Sequence, residues 1–138
     1  MRRHRFFCTG MTAVLLLMAI TVSCDHGSDE ICVASMDFVG MWDAVSFNGE
    51  NQNSRKINYW FKSDGSCEIE DNEKSSTIME GAWSFSEQDN ILTVVSEKYR
   101  YNVTLQILWY SKSHDRFKAK VKDADVEAEI VFLRTLIQ

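Results

Sequence analysis

The 138-residue sequence contains no proline, and it lacks the short motifs that carry the common chemistries of enzymes. Without proline, no segment with strand-like alternation is excluded as a central strand. No His-x-His, His-Glu-x-x-His or Cys-x-x-Cys provides metal-ligand spacing, and no Gly-x-Ser-x-Gly or glycine-rich phosphate loop is present. The net charge is −5, without the basic stripe that nucleic-acid binding needs. We therefore expect no catalytic residue, metal or cofactor, and no nucleic-acid partner.

The sequence also has no apolar run of transmembrane length. The longest run, residues 11–22, is too short to span a membrane, and it follows three arginines within the first five residues. This pattern is typical of a secretory signal. Cys24 follows Thr21-Val22-Ser23, where a lipoprotein signal peptidase would cut. We predict that residues 1–23 are a signal peptide, and that Cys24 carries a lipid. The alternative is an ordinary secretory signal in which Cys24 is incidental.

Residues 24–35 are predicted to be the lipidated cysteine and a tether, because residues 25–30 are polar and lack apolar periodicity. The predicted location is the bacterial cell envelope, with attachment to the membrane through Cys24. The acidic residues after Cys24 fit two sorting rules, one for retention in the inner membrane and one for export to the surface. We favour the outer membrane or cell surface. Residues 31–38 are mildly apolar and are a candidate for a short helix that closes one end of the next domain.

From Val39 onward, period-two alternation with closely spaced turn residues predicts an all-β domain over residues 36–138. The expected fold is a small eight-stranded antiparallel up-and-down barrel. Its strands are expected near 39–47, 55–62, 66–71, 77–86, 91–97, 100–110, 115–122 and 126–135. In the last hairpin one register satisfies both the apolar face and the charges. It places Lys120 opposite Glu129 and Phe117 opposite Phe132, with Lys122 facing Glu127.

The first strand opens with Gly40-Met41-Trp42, and Arg134 lies close to the end of the last strand. With Ser63-Asp64-Gly65, Gly81-Ala82-Trp83-Ser84 and Leu92-Thr93-Val94, this pattern resembles the short bacterial lipocalin-like domains. These are calycin-type barrels that are related to lipocalins and fatty-acid-binding proteins. The resemblance implies a floor formed by Gly40, Trp42 and Arg134, in which the guanidinium stacks on the indole. It also implies a small apolar ligand inside the barrel or at its mouth.

Bulky side chains dominate the positions that are expected to face inward. The candidate ligand-lining residues are Tyr59, Phe61, Trp83, Phe85, Tyr101, Phe117 and Phe132. An eight-stranded barrel is either just filled by side chains or holds one small ligand. The resemblance favours a bound ligand, whereas the bulk of these residues favours a filled core and an interaction module. As such a module, the protein would be an envelope-complex subunit or an inhibitor.

Strict alternation along the first strand places Trp42, Ala44 and Ser46 inside and Phe47 outside, on the same outer face as Trp60. Phe47 and Trp60 are therefore a candidate contact patch for a protein partner or a second copy. Two alternatives stay open, namely that residues 31–38 cover the patch, or that a bulge turns part of the strand.

Cys32 and Cys67 are the cysteines that remain after Cys24 and the signal peptide are set aside. An oxidising exterior permits a disulfide between them. The alternative is two buried free thiols.

Overall fold

The computed structural model describes residues 33–51, 56–122 and 127–136. In these ranges a 3-10 helix, Ser35–Phe38, precedes nine strands. They are β1 Gly40–Phe47, β2 Glu50–Asn51, β3 Ile57–Phe61, β4 Ser66–Asp71, β5 Met79–Ser86, β6 Ile91–Ser96, β7 Tyr101–Tyr110, β8 Arg116–Val121 and β9 Glu129–Thr135. Strand β2 pairs only with the end of β1, while the other eight follow one another antiparallel and close through β9 on β1. The predicted eight-stranded up-and-down barrel is confirmed, and a short N-terminal helix is present.

The two ends of the barrel differ. We call one end of the barrel the floor. It is the end at which β1, β4, β6 and β8 begin and at which β3, β5, β7 and β9 finish, and the 3-10 helix lies there. We call the opposite end the mouth. Chain order and antiparallel pairing thus bring the first and last described segments together at the floor.

The register of the last hairpin is the one that the sequence predicts. Lys120 lies opposite Glu129, and Phe117 lies opposite Phe132. The ion pairs run diagonally, because Lys118 contacts Glu129 at 2.7 Å and Lys120 contacts Glu127 at 2.8 Å. Exposed pairs of this kind contribute little to stability. The buried aromatic pair therefore matters more for the register than the charges do.

A bulge between Ala44 and Ser46 changes the facing of β1. The extra residue reverses the alternation beyond it, so Phe47 turns into the core and is only 9% exposed. Strict alternation placed Phe47 outside and Ser46 inside, but the alternative of a bulge in this strand is the one that the structure shows, and Ser46 lies opposite the outward Val131. Trp60 does lie outside, where it is 39% exposed.

A second bulge interrupts β7 between Ile107 and Trp109. It leaves Leu108 and Trp109 exposed on the outer surface and turns Tyr110 back into the interior. The two bulges thus have the same effect on the core. Each brings one large aromatic side chain inside that strict alternation would have left outside.

Candidate functional site

The floor of the barrel is built around Trp42, whose side chain is completely buried. The guanidinium carbon of Arg134 lies 4.2 Å from the centre of the Trp42 ring, within the range of a cation–π contact. The indole Nε1 donates a hydrogen bond of 2.8 Å to the Phe38 carbonyl oxygen. One ring therefore ties the last strand and the 3-10 helix to the first strand.

Arg134 also binds three backbone carbonyl oxygens at the floor. Its Nε donates to His114 at 2.7 Å, Nη1 donates to Val39 at 2.7 Å, and Nη2 donates to Asp37 at 2.6 Å. The Tyr110 hydroxyl accepts a longer bond of 3.3 Å from Nη2. A partly buried guanidinium needs such partners to offset its desolvation. The resulting network holds the segment before β1 and the β7–β8 hairpin against the barrel end.

Gly40 makes this arrangement possible. Its φ is +134°, which L side chains rarely adopt, and a Cβ at this position would lie 2.6 Å from Nη1 of Arg134. Glycine is thus required both by the backbone conformation and by the close approach of the guanidinium. This gives the Gly-x-Trp pattern of the first strand a physical reason in this chain.

Tyr110 belongs to the floor, although the sequence did not single it out. Its hydroxyl donates a 2.7 Å hydrogen bond to the Asp37 carbonyl oxygen, and burial raises the pKa of the phenol above its ordinary value. The ring lies 5.6 Å from that of Phe38, centre to centre, in an edge-on contact. The adjacent pair Trp109-Tyr110 was the available signal, because two neighbouring aromatics at a strand end require either a bulge or one exposed ring.

Five of the seven candidate ligand-lining residues are buried in one aromatic core. They are Tyr59, Phe61, Tyr101, Phe117 and Phe132. Three of these, Phe61, Phe117 and Phe132, have no surface accessible to water, so they line neither the outside nor an internal cavity that could hold water. The centre of the Phe117 ring lies 4.8 Å from those of both Trp42 and Phe132. Around these residues the interior is filled by side chains.

Trp83 and Phe85, the other two candidates, are partly exposed. Trp83 Nε1 donates to the Lys62 carbonyl oxygen at 2.8 Å, and Phe85 packs on Phe38 with 4.7 Å between ring centres. Both therefore lie near the floor, at the edge of the core. They are positioned to touch a small molecule only from the barrel's surface.

Tyr59 and Tyr101 were the inward polar groups that a ligand could use. Their hydroxyl oxygens lie 2.6 Å apart in a buried hydrogen bond. Each hydroxyl therefore already has a partner within the core, and a ligand would have to compete with that bond.

Cys67 is buried, and desolvation raises the pKa of its thiol to about 11. Cys32 lies outside the described residues, as does Cys24, so the disulfide and the lipid both stay predictions.

The outer surface carries an apolar band near the floor, which we call the floor belt. It consists of outward side chains on β1, β3, β7 and β9, namely Met41, Trp60, Leu108, Trp109 and Leu133. Except for the less exposed Met41, they are between 38% and 47% exposed. Cross-strand pairing places Met41 beside Trp60, and Leu133 beside Arg116. The belt therefore replaces the two-residue patch expected from the sequence.

Charge is unevenly distributed around the belt. Strand β8 presents Arg116 and Lys118 between Leu133 and Trp109. On the other side, β4 pairs with β3, so Glu68 lies directly opposite Trp60, and β4 and β5 also present Glu70 and Glu80. The belt thus has basic side chains beside Leu133 and Trp109 and an acidic side chain beside Trp60.

No protein-family model and no curated protein matches this chain. Its closed eight-stranded antiparallel barrel is consistent with a calycin-type fold. Within the described ranges, no cluster of three or more His, Cys, Asp or Glu residues is arranged to hold a metal ion. In that same part of the chain, none of the helical segments has the length and apolar character needed to cross a bilayer.

Proposed function

We propose that the protein is a lipid-anchored, lipocalin-like protein of the bacterial envelope that acts through contacts on its outer surface. The observation that carries this proposal is the combination of a filled core with an exposed floor belt. Phe61, Phe117 and Phe132 leave no room for a ligand around them, whereas Trp60 and Trp109 lie partly uncovered on the outside. Exposed apolar patches on a small barrel are typical of contact surfaces. On this proposal the domain is an interaction module without catalytic chemistry.

The anchor is supported by the sequence before the barrel. An apolar run of signal-peptide length precedes Cys24, and a polar tether follows it. Val33, nine positions later, is already part of the core. The acidic tether fits two sorting rules, and of these we propose the one for export, with the protein at the outer membrane or cell surface.

The anchor is tested by replacing Cys24 with serine and labelling cells with a fatty-acid analogue. Label should be lost from Cys24→Ser and kept by Cys67→Ser, the matched control at a buried cysteine. If Cys24→Ser keeps the label, the lipoprotein assignment is wrong.

A second candidate function is the binding of a small apolar ligand, which the lipocalin-like pattern implies. It is favoured by inward-facing side chains towards the mouth that are only partly buried, namely Val103 and Val121. Such a ligand would lie at the rim of the core, because the centre is occupied.

The two functions are separated by native mass spectrometry of the protein purified from its own host. If the protein acts through surface contacts, the spectrum should show either a bound partner protein or no bound molecule. A small molecule that stays bound would contradict this function. A titration with fatty acids and an environment-sensitive apolar dye completes the test. Saturable binding that is lost in Val121→Phe, but kept in a Trp60→Ser variant, would establish the rim as a ligand site.

A further inference from the structure

We propose that the floor belt is a membrane-docking surface that rests in the headgroup layer of a phospholipid bilayer. This inference rests on the lipid anchor of the proposed function and names the partner of the same surface. The barrel would then stand with its floor towards the lipid and its mouth away from it.

The exposed apolar side chains gather at the floor. Among the described residues, six of the nine large hydrophobic side chains that are exposed lie in the floor half of the barrel or on the segments that close it. They are Met36, Trp60, Leu108, Trp109, Leu133 and Leu136. Met36 and Leu136, at 67% and 80% exposure, lie on the segments just before β1 and just after β9. This concentration of exposed apolar side chains at one end indicates that this end contacts an apolar environment.

The depth of the belt matches a bilayer interface. Each of its residues lies within two positions of the floor end of its strand, as Trp60 and Trp109 do, one position from the ends of β3 and β7. At about 3.4 Å per residue, the belt extends roughly 7 Å up the wall. Apolar faces of peripheral proteins enter the boundary between headgroups and acyl chains by about 5–10 Å. A barrel whose floor enters the bilayer to this depth would bring every belt residue into contact with lipid at the same time.

The tether leads to the same end. The described chain begins at Val33, and Arg134 fixes the carbonyl oxygens of Asp37 and Val39 at the floor. Nine positions separate Val33 from Cys24, so the chain between them spans at most about 30 Å when fully extended. An acylated Cys24 would therefore keep the floor close to the bilayer.

Basic side chains lie beside the apolar side chains of the belt. Arg116 lies opposite Leu133, Lys118 lies opposite Trp109, and the Lys62 ammonium lies 4.7 Å from the Trp60 ring centre. Tryptophan next to lysine or arginine is typical of membrane interfaces.

Acidic groups also lie near the belt, and each of these basic side chains has a carboxylate close to it. Lys118 is paired with Glu129 at 2.7 Å, Arg116 with Asp115 at 3.6 Å, and Lys62 with Glu68 at 3.7 Å. Asp43 accepts a bond from the Thr135 hydroxyl. The charges beside the belt are therefore nearly balanced, and we expect the apolar side chains to contribute most to docking.

A second copy of the chain fits the belt less well. The belt follows the barrel wall from β3 through β1, β9 and β8 to β7, which is five of the eight strands. A rigid copy would touch only the strands near one line of contact and would leave the rest of the arc exposed. A fluid headgroup layer can contact the whole arc.

The test uses the mature, acylated protein, purified from cells and reconstituted in vesicles of phosphatidylcholine and phosphatidylglycerol. Acyl chains brominated close to the headgroup serve as quenchers of tryptophan fluorescence. Trp60 and Trp109 should be quenched, whereas buried Trp42 should not. The double variant Trp60→Phe with Trp109→Phe should lose most of the quenching while its circular dichroism stays unchanged.

A matched control places a tryptophan at the mouth. Ile78 is exposed and lies just before β5, at the mouth end. Ile78→Trp, in the background that lacks Trp60 and Trp109, should show no bromolipid quenching above that background. Equal quenching at floor and mouth, or none at either, would overturn the docking proposal.

The outcomes also separate this inference from the proposed function. The mass of the purified protein shows whether Cys24 is acylated, and an unmodified cysteine would contradict the anchor. Concentration-dependent self-association that shields Trp60 and Trp109 without bromolipid quenching would overturn membrane docking, yet it would leave the interaction-module function standing.

Discussion

The guanidinium carbon of Arg134 lies 4.2 Å from the centre of the Trp42 ring, while the guanidinium nitrogens donate to the backbone carbonyl oxygens of Asp37, Val39 and His114. One side chain thus joins the last strand, the first strand, the 3-10 helix and the β7–β8 hairpin. Closure of the barrel and attachment of the segment before it are therefore coupled.

Removal of either residue should destabilise the barrel. Arg134→Ala should lower the free energy of unfolding by roughly 1–3 kcal/mol, through loss of the cation–π contact and of stem packing. Trp42→Ala should cost about 3–5 kcal/mol, as a large-to-small change in the core. Denaturant unfolding of both single variants and the double variant gives the coupling energy. Additive losses would contradict the contact, since touching residues couple.

Arg134→Lys separates charge from hydrogen bonding. Lysine keeps the positive charge, but it cannot supply the planar set of donors that reaches three carbonyl oxygens. We expect it to lose most of the stability that Arg134→Ala loses. Full retention of stability in Arg134→Lys would show that charge alone matters.

Gly40→Ala should be more harmful than Gly49→Ala, its matched control. Both glycines have positive φ, but a Cβ at Gly49 meets nothing within 4 Å, whereas one at Gly40 meets Arg134. Gly49→Ala should cost about 1 kcal/mol from backbone conformation, and Gly40→Ala about 1–3 kcal/mol more. In an Arg134→Ala background the excess at Gly40 should shrink, and an unchanged excess would show that the guanidinium is not its cause.

Much of this floor could be predicted from the sequence. Its residues belong either to strands with regular apolar alternation or to the ends of the first and last strands. Alternation identified the eight strands, and the opposed charges and aromatics of the last hairpin fixed the register that puts Arg134 on the inward side. Alternation could not decide the two bulges in this way. A bulge in β1 was one of the alternatives left open, and Trp109-Tyr110 allowed one in β7. Alternation alone does not show where an extra residue is accommodated, so the facings of Phe47 and Tyr110 depend on tertiary packing.

Cys67 should react slowly with iodoacetamide in the native protein. A pKa raised to about 11 leaves roughly one thiol in a thousand ionised at pH 8, and the side chain is buried. Unfolding should restore ordinary reactivity. Failure to react even after unfolding without reductant, with recovery after reduction, would instead establish the predicted disulfide with Cys32. Fast native alkylation would contradict the burial.

The same thiol makes stability depend on pH in the alkaline range. The folded state holds its proton up to about pH 11, whereas the unfolded thiol ionises near its ordinary value of 9.0. Between these values the unfolded state binds fewer protons, so stability should fall as pH rises. Tyr110, whose pKa is also raised, acts in the same direction above pH 10. Cys67→Ala should flatten the decline that begins near pH 9, measured by thermal unfolding, and an unchanged slope would exclude the thiol as its source.

Phe47 and Trp60 should respond in opposite ways to the same substitution. Phe47→Ser removes a large side chain that the β1 bulge turns into the core, so we expect a loss of about 3–5 kcal/mol in the free energy of unfolding. Trp60→Ser removes a partly exposed side chain from the floor belt, so stability should change by about 1 kcal/mol or less. Contact with vesicles should weaken only in Trp60→Ser, provided that Phe47→Ser is compared at a temperature where it remains folded. Denaturant unfolding and vesicle flotation measure the two effects separately. If Phe47→Ser proved neutral for stability and harmful for binding, the strand would lack the bulge, and Phe47 would belong to the outer surface after all.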